Sequence, residues 1–425
     1  MQTFPLTGFD TFLLALEQQY NQNDIAGNTC YYVIDLEGAL DHEALADRII
    51  SNEYFQVLSS LRYEKEKALG IPKWHLRSKD TTRIEHFVTD QLIPQVVLDR
   101  RLGADVGCLS LDTVARSDGR STVILSWNHL LMDGYGAVLF LKRLLGSDDS
   151  FDPALLMSYQ APVYNLSAFW KATKAKFFID YTSRPRLSMI SPPLYDVNSQ
   201  ERVSVLDFDP KQVRQIEAAA LHSGARFGRS AFFLACIARA VQSVLVQRGD
   251  GVHNFWIPVP RDNRRKGALG PIIGNRLSFL FYRLKKKQMS SIESCVDAIN
   301  NQMRDQIKHK SHESYNHLMD FMKWLPLNLY YYLVKRRGGN AIASFLFTVA
   351  ADHPSDLETI MGQRVINALS LPANAYPPGL TFAMMNFRGS LKLMILYHTH
   401  ALSDAEYSGM AKQLQQELLM DESQG

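Results

Sequence analysis

Cysteine pairs are what this chain conspicuously lacks. Its 425 residues hold four cysteines, Cys30, Cys108, Cys236 and Cys295, far apart and with no C-x-x-C spacing. That pattern excludes a disulfide scaffold and a cysteine zinc site, and it fits a reducing, cytoplasmic setting. Charge of one sign is lacking too. A net charge of +3 gives no sequence-wide basic field that would argue for nucleic acid. No apolar run reads as the roughly 18 residues of a membrane span, and the N-terminus shows no basic region followed by an apolar core. A secreted or integral membrane protein is therefore not expected. His309, His312 and His317 resemble a metal-ligand run, but partner Cys or Glu at ligand spacing are missing, so no metal site and no bound cofactor are expected.

What is present is an ordinary globular composition, 46% hydrophobic and 21% charged. A chain of 425 residues exceeds the size at which one core stops growing, so two domains or subdomains are predicted.

The chain turns on Val123 to Leu145, V-I-L-S-W-N-H-L-L-M-D-G-Y-G-A-V-L-F-L-K-R-L-L. Val123 to Trp127 is apolar and rich in β-branched residues, which predicts a buried strand, and Gly134 to Leu145 repeats apolar residues at helical spacing. Between them stand His129, Asp133 and Gly134. A histidine at the end of a buried strand, on a connection that glycine lets bend, is held rigidly at the edge of a core with its ring free to face a cavity. At this composition H-x-x-x-D-G is expected by chance about 0.04 times. The structural alternative is a buried histidine satisfied by a carbonyl, with Asp133 merely capping the helix that follows.

Along the rest of the chain, Phe9, Phe12, Leu13 and Leu16 predict an amphipathic first helix within 4–20. Strands are predicted at 31–36, 73–76, 86–92, 109–114 and 123–127. The last two are joined by the hairpin-type turn Ser117-Asp118-Gly119-Arg120 and hence antiparallel. Asp41 reads as the N-cap of a helix carrying Leu45, Ile49 and Ile50. The proline-bearing stretch 183–199, with Pro185, Pro192 and Pro193, reads as a crossover, dividing the chain into 1–182 and 183–425. Beyond it come strand 202–208, helix 210–221, a strongly apolar helix 230–246, strands 252–259 and 277–284, and helix 292–310. Strands 344–349, 380–386 and 391–398 and a closing helix 403–419 finish the chain. Phe321 to Val334, followed by Lys335, Arg336 and Arg337, is read as a core helix pair; the alternative is an interfacial segment anchored by its cationic end.

This order of features resembles the acyl-thioester-dependent acyltransferases with an H-x-x-x-D motif. They include chloramphenicol acetyltransferase, peptide-synthetase condensation domains, plant alcohol acyltransferases and the wax ester synthase/diacylglycerol acyltransferases. Pro5-Leu6 to Asp10, Gly38-Ala39-Leu40-Asp41, Leu61-Arg62, Pro258-Val259 with nearby arginines, Gly274-Asn275, and Pro378-Gly379-Leu380 to Tyr397 followed by Asp404 resemble elements of the wax ester synthase type. Two departures stand out. Asn128 occupies the place of the first histidine of H-H-x-x-x-D-G, and Ala350-Ala351-Asp352-His353-Pro354 stands where that type has Ser-Asn. The resemblance implies an α/β fold of two chloramphenicol-acetyltransferase-like subdomains, mixed sheets flanked by helices, with an active-site tunnel between them.

It also implies an acyltransferase that moves an acyl group, read here as fatty acyl, from a coenzyme A or acyl-carrier-protein thioester to an alcohol or amine. The acyl thioester is then a co-substrate rather than a bound cofactor. Because a thioester carbonyl is already activated, the protein has to deprotonate the acceptor and stabilise an oxyanion. His129, with a free pKa near about 6.5, suits the first task without a covalent intermediate. The resemblance implies that Asp133 turns away from the histidine and pairs with an arginine; Arg62, Arg261 and Arg276 are the candidates. The Gly134 N–H is the candidate oxyanion donor, since glycine permits close approach. Asn128, Arg261, Asn275 and Asn386 are candidate substrate contacts. The basic loop Arg261, Arg264, Arg265 and Lys266 reads either as a contact for coenzyme A phosphates or a carrier-protein surface, or as a solvated turn. His398 reads as core-flanking, with a place on the tunnel wall as its alternative. Two other readings stay open: a noncatalytic module of the same fold that binds a carrier protein or lipid, and a protein that contacts a membrane surface through Phe321 to Arg337.

Overall fold

The structure, a computed structural model, describes residues 3–22, 27–64, 70–77, 83–103, 106–147, 150–157, 161–191, 198–265, 268, 270–336 and 341–420. Lys266, Arg337, Pro192 and Pro193 lie outside the described residues. Strand Ser121–Asn128 is buried at every position, as a continuous apolar run requires when both faces of a sheet are covered. It lies inside a six-stranded mixed sheet in the order 359–360, 363–371, 29–36, 121–128, 109–115, 83–88. Its neighbours Thr29–Leu36 and Leu109–Ala115 are both antiparallel to it, the latter through the turn at Ser117 to Arg120. The edge strand Arg83–Val88 joins parallel.

Strand Gln363–Leu371 was not foreseen in the sequence. It comes from late in the chain and pairs antiparallel with Thr29–Leu36, so the chain returns to the first half's sheet after building much of the second. A register shift between Val365 and Asn367 breaks the period-2 alternation by which such a strand is read. The second sheet has the order 346–349, 380–387, 390–398, 201–208. Its central hairpin turns at Arg388 and Gly389, both with positive φ, 48° and 83°, the twist a two-residue connection demands. A separate antiparallel ribbon pairs Asn254–Asp262 with Leu277–Lys285. The expected architecture of two mixed α/β halves is what the chain adopts, with two large buried clusters, the first of which also takes Ala383, Met385, Met394 and Leu396 from the second sheet.

Three further readings change. The first helix starts at Gly8, not Phe4, because Thr3–Pro5 is a strand on Lys73–Leu76. Thr7 and Asp10 cap the helix reciprocally, each side chain accepting the other's backbone N–H. Helix Ser230–Gln247 is, by length and a mean hydropathy of 1.5, able to cross a membrane. In sequence the apolar run is interrupted by Arg239. The helix is 67% buried within the fold, packed between helices Ile292–Lys308 and Asp404–Leu419. Helix Leu166–Thr182, also unforeseen, lies against Ser311–Met322.

Candidate active site

Strand Ser121–Asn128 ends where the chain turns sharply, and the turn is pinned from every side. The Asn128 side chain accepts from Leu130 N (2.9 Å) and donates to Glu17 Oε2 (2.9 Å) and the Leu102 carbonyl (2.7 Å). The Trp127 indole donates to the Met132 carbonyl (2.9 Å), and His129 N–H donates to the Asn28 carbonyl (2.8 Å). From the second half, Gly274 N–H reaches the Leu131 carbonyl (2.7 Å), and Asn275 Nδ2 donates to the His129 carbonyl (2.8 Å) and to buried Asp10 (2.9 Å). Gly274 has φ +89°, a conformation that favours glycine. Residues from both halves of the chain therefore fix the backbone of His129.

The carboxylate of Asp133 is engaged on both oxygens. It caps the helix Gly134–Leu145 by accepting from Gly136 N (2.9 Å). It also receives both terminal nitrogens of Arg264, at 2.8 and 3.0 Å, and the backbone N–H of Arg276 at 2.9 Å. Arg264 and Asp133 expose 4% and 2% of their side chains, and the guanidinium sits 4.7 Å from the centre of the Tyr135 ring. A bidentate pair this deep organises the loop instead of orienting the histidine.

His129 lines a cavity of about 310 Å³. Its other walls are Phe9, Phe12, Leu13 and Leu16 of the first helix, Pro258 and Phe279 of the ribbon, and Leu346 and Phe347 of the second sheet. This is the size and mostly apolar character of a small-molecule site with few placed polar groups. Burial lowers the pKa of His129 below the ordinary imidazole value, while the backbone carbonyls of His129 and Met132 and the charges of Asp133 and Asp10 pull the other way. Desolvation prevails, which favours the neutral ring.

No family model and no curated protein matches the sequence. Solved structures do. The first condensation domain of the CDA synthetase superposes with a TM-score of 0.65 at 15% identity, over 98% of this chain and 96% of that one. The TRI3 trichothecene 15-O-acetyltransferase from Fusarium sporotrichioides gives 0.71 at 14% identity, over 98% and 94%. A starter condensation domain of rhizomide synthetase RzmA, in complex with C8-CoA and Leu-SNAC, gives 0.62 at 14% identity, over 98% and 94%. The chain has the fold that these condensation domains and this acetyltransferase share.

Within this condensation-type fold, the structure corrects several assignments. The partner of Asp133 is Arg264, which had been read as part of a solvent- or phosphate-facing basic loop. Asp262 forms the turn that aims it inward, accepting Arg264 N–H at 2.9 Å, a signal that D-N-R carries in sequence. Arg62 instead donates to the Ser59 and Leu61 carbonyls, Arg276 reaches Asp133 through its backbone, and Arg261 meets His312 Nδ1 at 3.2 Å. Asn128 is fully buried, and its side chain is engaged by the protein, where it supports the loop. Asn275 likewise bridges Asp10 to the loop, and Asn386 is held by Asp352 and Arg229. His309 turns to the Asp305 carbonyl, separating it from His312. His398 is buried against the Tyr376 ring, 5.3 Å between centroids. The bend at Gly134 does not need glycine, for its φ is not positive. A Cβ there would meet no protein atom within 4 Å, which leaves the space beside it to the cavity.

Proposed function

We propose that the protein transfers an acyl group from a thioester to a hydroxyl or amine acceptor, with His129 as general base. The observation that carries this reading is the His129 ring on the wall of a mostly apolar cavity lined from both halves, beside an Asp133 locked away on Arg264. In the proposed step the imidazole takes the acceptor's proton as the acceptor attacks the thioester carbonyl carbon. The tetrahedral species collapses with cleavage of the C–S bond, and the imidazolium returns the proton to the departing thiolate. Asp133 takes no proton in this scheme; it holds the loop. The Gly134 N–H, at the first turn of a helix beside open space, is the proposed donor to the oxyanion. Acyl-CoA or an acyl carrier protein serves as co-substrate, and the apolar walls favour a fatty acyl chain over acetyl. Purified protein incubated with mixed acyl-CoAs should release free thiol on addition of alcohols or amines. His129→Ala should lower that rate about 10²–10⁴-fold with donor affinity nearly unchanged. Turnover of His129→Ala at the wild-type rate would overturn the reading and leave a carrier- or lipid-binding module as the better account.

A further inference from the structure

Helix Leu166–Thr182 is apolar on two opposite faces. Ala168, Ala172, Ala175 and Ile179 are buried against the fold. On the opposite side Leu166, Trp170, Phe177 and Tyr181, at i, i+4, i+11 and i+15, face outward with exposures of 72, 55, 71 and 63%. A surface helix ordinarily turns polar residues outward, so this second stripe has no role in the fold. It continues onto the neighbouring helices through Phe169 on Phe321 and Tyr164 on Trp324, ending at Tyr332, which is 65% exposed. Among the described residues every exposed aromatic except Phe227 belongs to this patch; aromatic residues scattered by chance would not gather so.

Charge says what covers it. Lys171, Lys174, Arg184 and Arg186 are exposed around the stripe, and the helix's single acid, Asp180, is paired with Lys176. A second copy docked on this face would set the basic rim against its own kind. Aromatic rings inside a cationic rim match an anionic bilayer, where rings settle at headgroup depth and cations meet lipid phosphates. Behind the patch, a surface pocket of about 570 Å³ shares Leu333 and Arg336 with an apolar cavity of about 70 Å³. That cavity shares Phe12 and Phe279 with the His129 cavity.

We propose that this face docks on an anionic lipid bilayer, which places the outer end of the cavity series at the membrane surface. That an acyl chain travels the series to His129 rests on the acyl-transfer reading; the docking itself does not.

Flotation with phosphatidylcholine vesicles, with and without about one third phosphatidylglycerol, tests it without any turnover. Wild-type protein should float with the anionic vesicles, and less at high salt. Trp170→Glu with Phe177→Glu should weaken binding at least about tenfold while the thermal midpoint stays unchanged, since both side chains are exposed. Lys171→Glu with Lys174→Glu should weaken binding only to the anionic vesicles. Wild-type protein that stays behind with both vesicle types would overturn the proposal, as would a Trp170→Glu/Phe177→Glu protein that floats like wild type. So would sedimentation showing a wild-type dimer that this variant dissolves, since the occupant would then be a second copy.

Discussion

At the scale of single residues, the site rests on the His129 ring and on the buried pair of Asp133 and Arg264. Burial lowers the His129 pKa, so its acid limb of activity should lie below the ordinary value of about 6.5. Activity should fall as pH drops through that folded-state pKa, because only the neutral ring can accept a proton. The same shift has a sign for stability. Between the folded pKa and about 6.5 the unfolded chain binds the proton first, so acid weakens the fold while neutral pH does not. A pH–rate profile with its acid limb above about 6.5 would contradict a ring desolvated by the cavity wall. Asp133 and Arg264 behave as one unit. Either Asp133→Ala or Arg264→Ala strands a nearly buried charge and should cost about 3–5 kcal/mol. The double variant should cost less than the sum, as read by a denaturation cycle. Two single variants that melt like wild type would show that the pair does not organise the loop.

At the scale of elements, the two glycines that open the motif helix have different tasks. A Cβ at Gly136 would lie 2.3 Å from the Ile272 carbonyl, backbone that cannot swing aside, so Gly136→Ala should push helix and loop apart at about 1–3 kcal/mol. A Cβ at Gly134 meets only open space. Gly134→Ala should therefore keep the melting temperature, or raise it slightly through helix propensity, while lowering turnover by intruding on the acceptor's approach. Equal melting losses in the two variants would sink this distinction. The loop is a rigid element for a related reason: Gly274 and Asn275 bond the carbonyls of Leu131 and His129 from the other half of the chain.

At the scale of the whole molecule, the cavity is a product of both halves. Its walls come from the first helix, the ribbon and both sheets, so its length and polarity are collective properties. Lined as it is by Phe, Leu and Pro, it should bind acyl chains roughly in proportion to the apolar area each buries, about 0.8 kcal/mol per methylene until the wall is reached. Thiol release measured across acetyl, octanoyl and longer donors should rise with chain length and then break. Equal turnover of acetyl and long donors would remove the fatty-acyl assignment.

What the sequence determined by itself was local. The strand–histidine–helix unit, the turn at Ser117 to Arg120, the Asp41 cap, the closing helix and the mixed α/β class all follow from periodicity and turn chemistry over a few residues. The structure places them within a residue or two. What only the tertiary structure decided was every pairing across distance. That the guanidinium pairing with Asp133 belongs to Arg264, while Arg276 reaches it only through its backbone N–H, is a matter of reach between segments 131 residues apart; the Asp262 turn hints that Arg264 bends back, but not what it meets. Strand Gln363–Leu371 joins the first sheet through a bulge that erases its alternation, so no local pattern announces it. Asn128, Asn275 and Asn386 looked like substrate contacts because an amide serves a ligand and a loop equally well. The partners each one meets, Glu17 for Asn128, Asp10 for Asn275, Asp352 and Arg229 for Asn386, are set only by the folded chain.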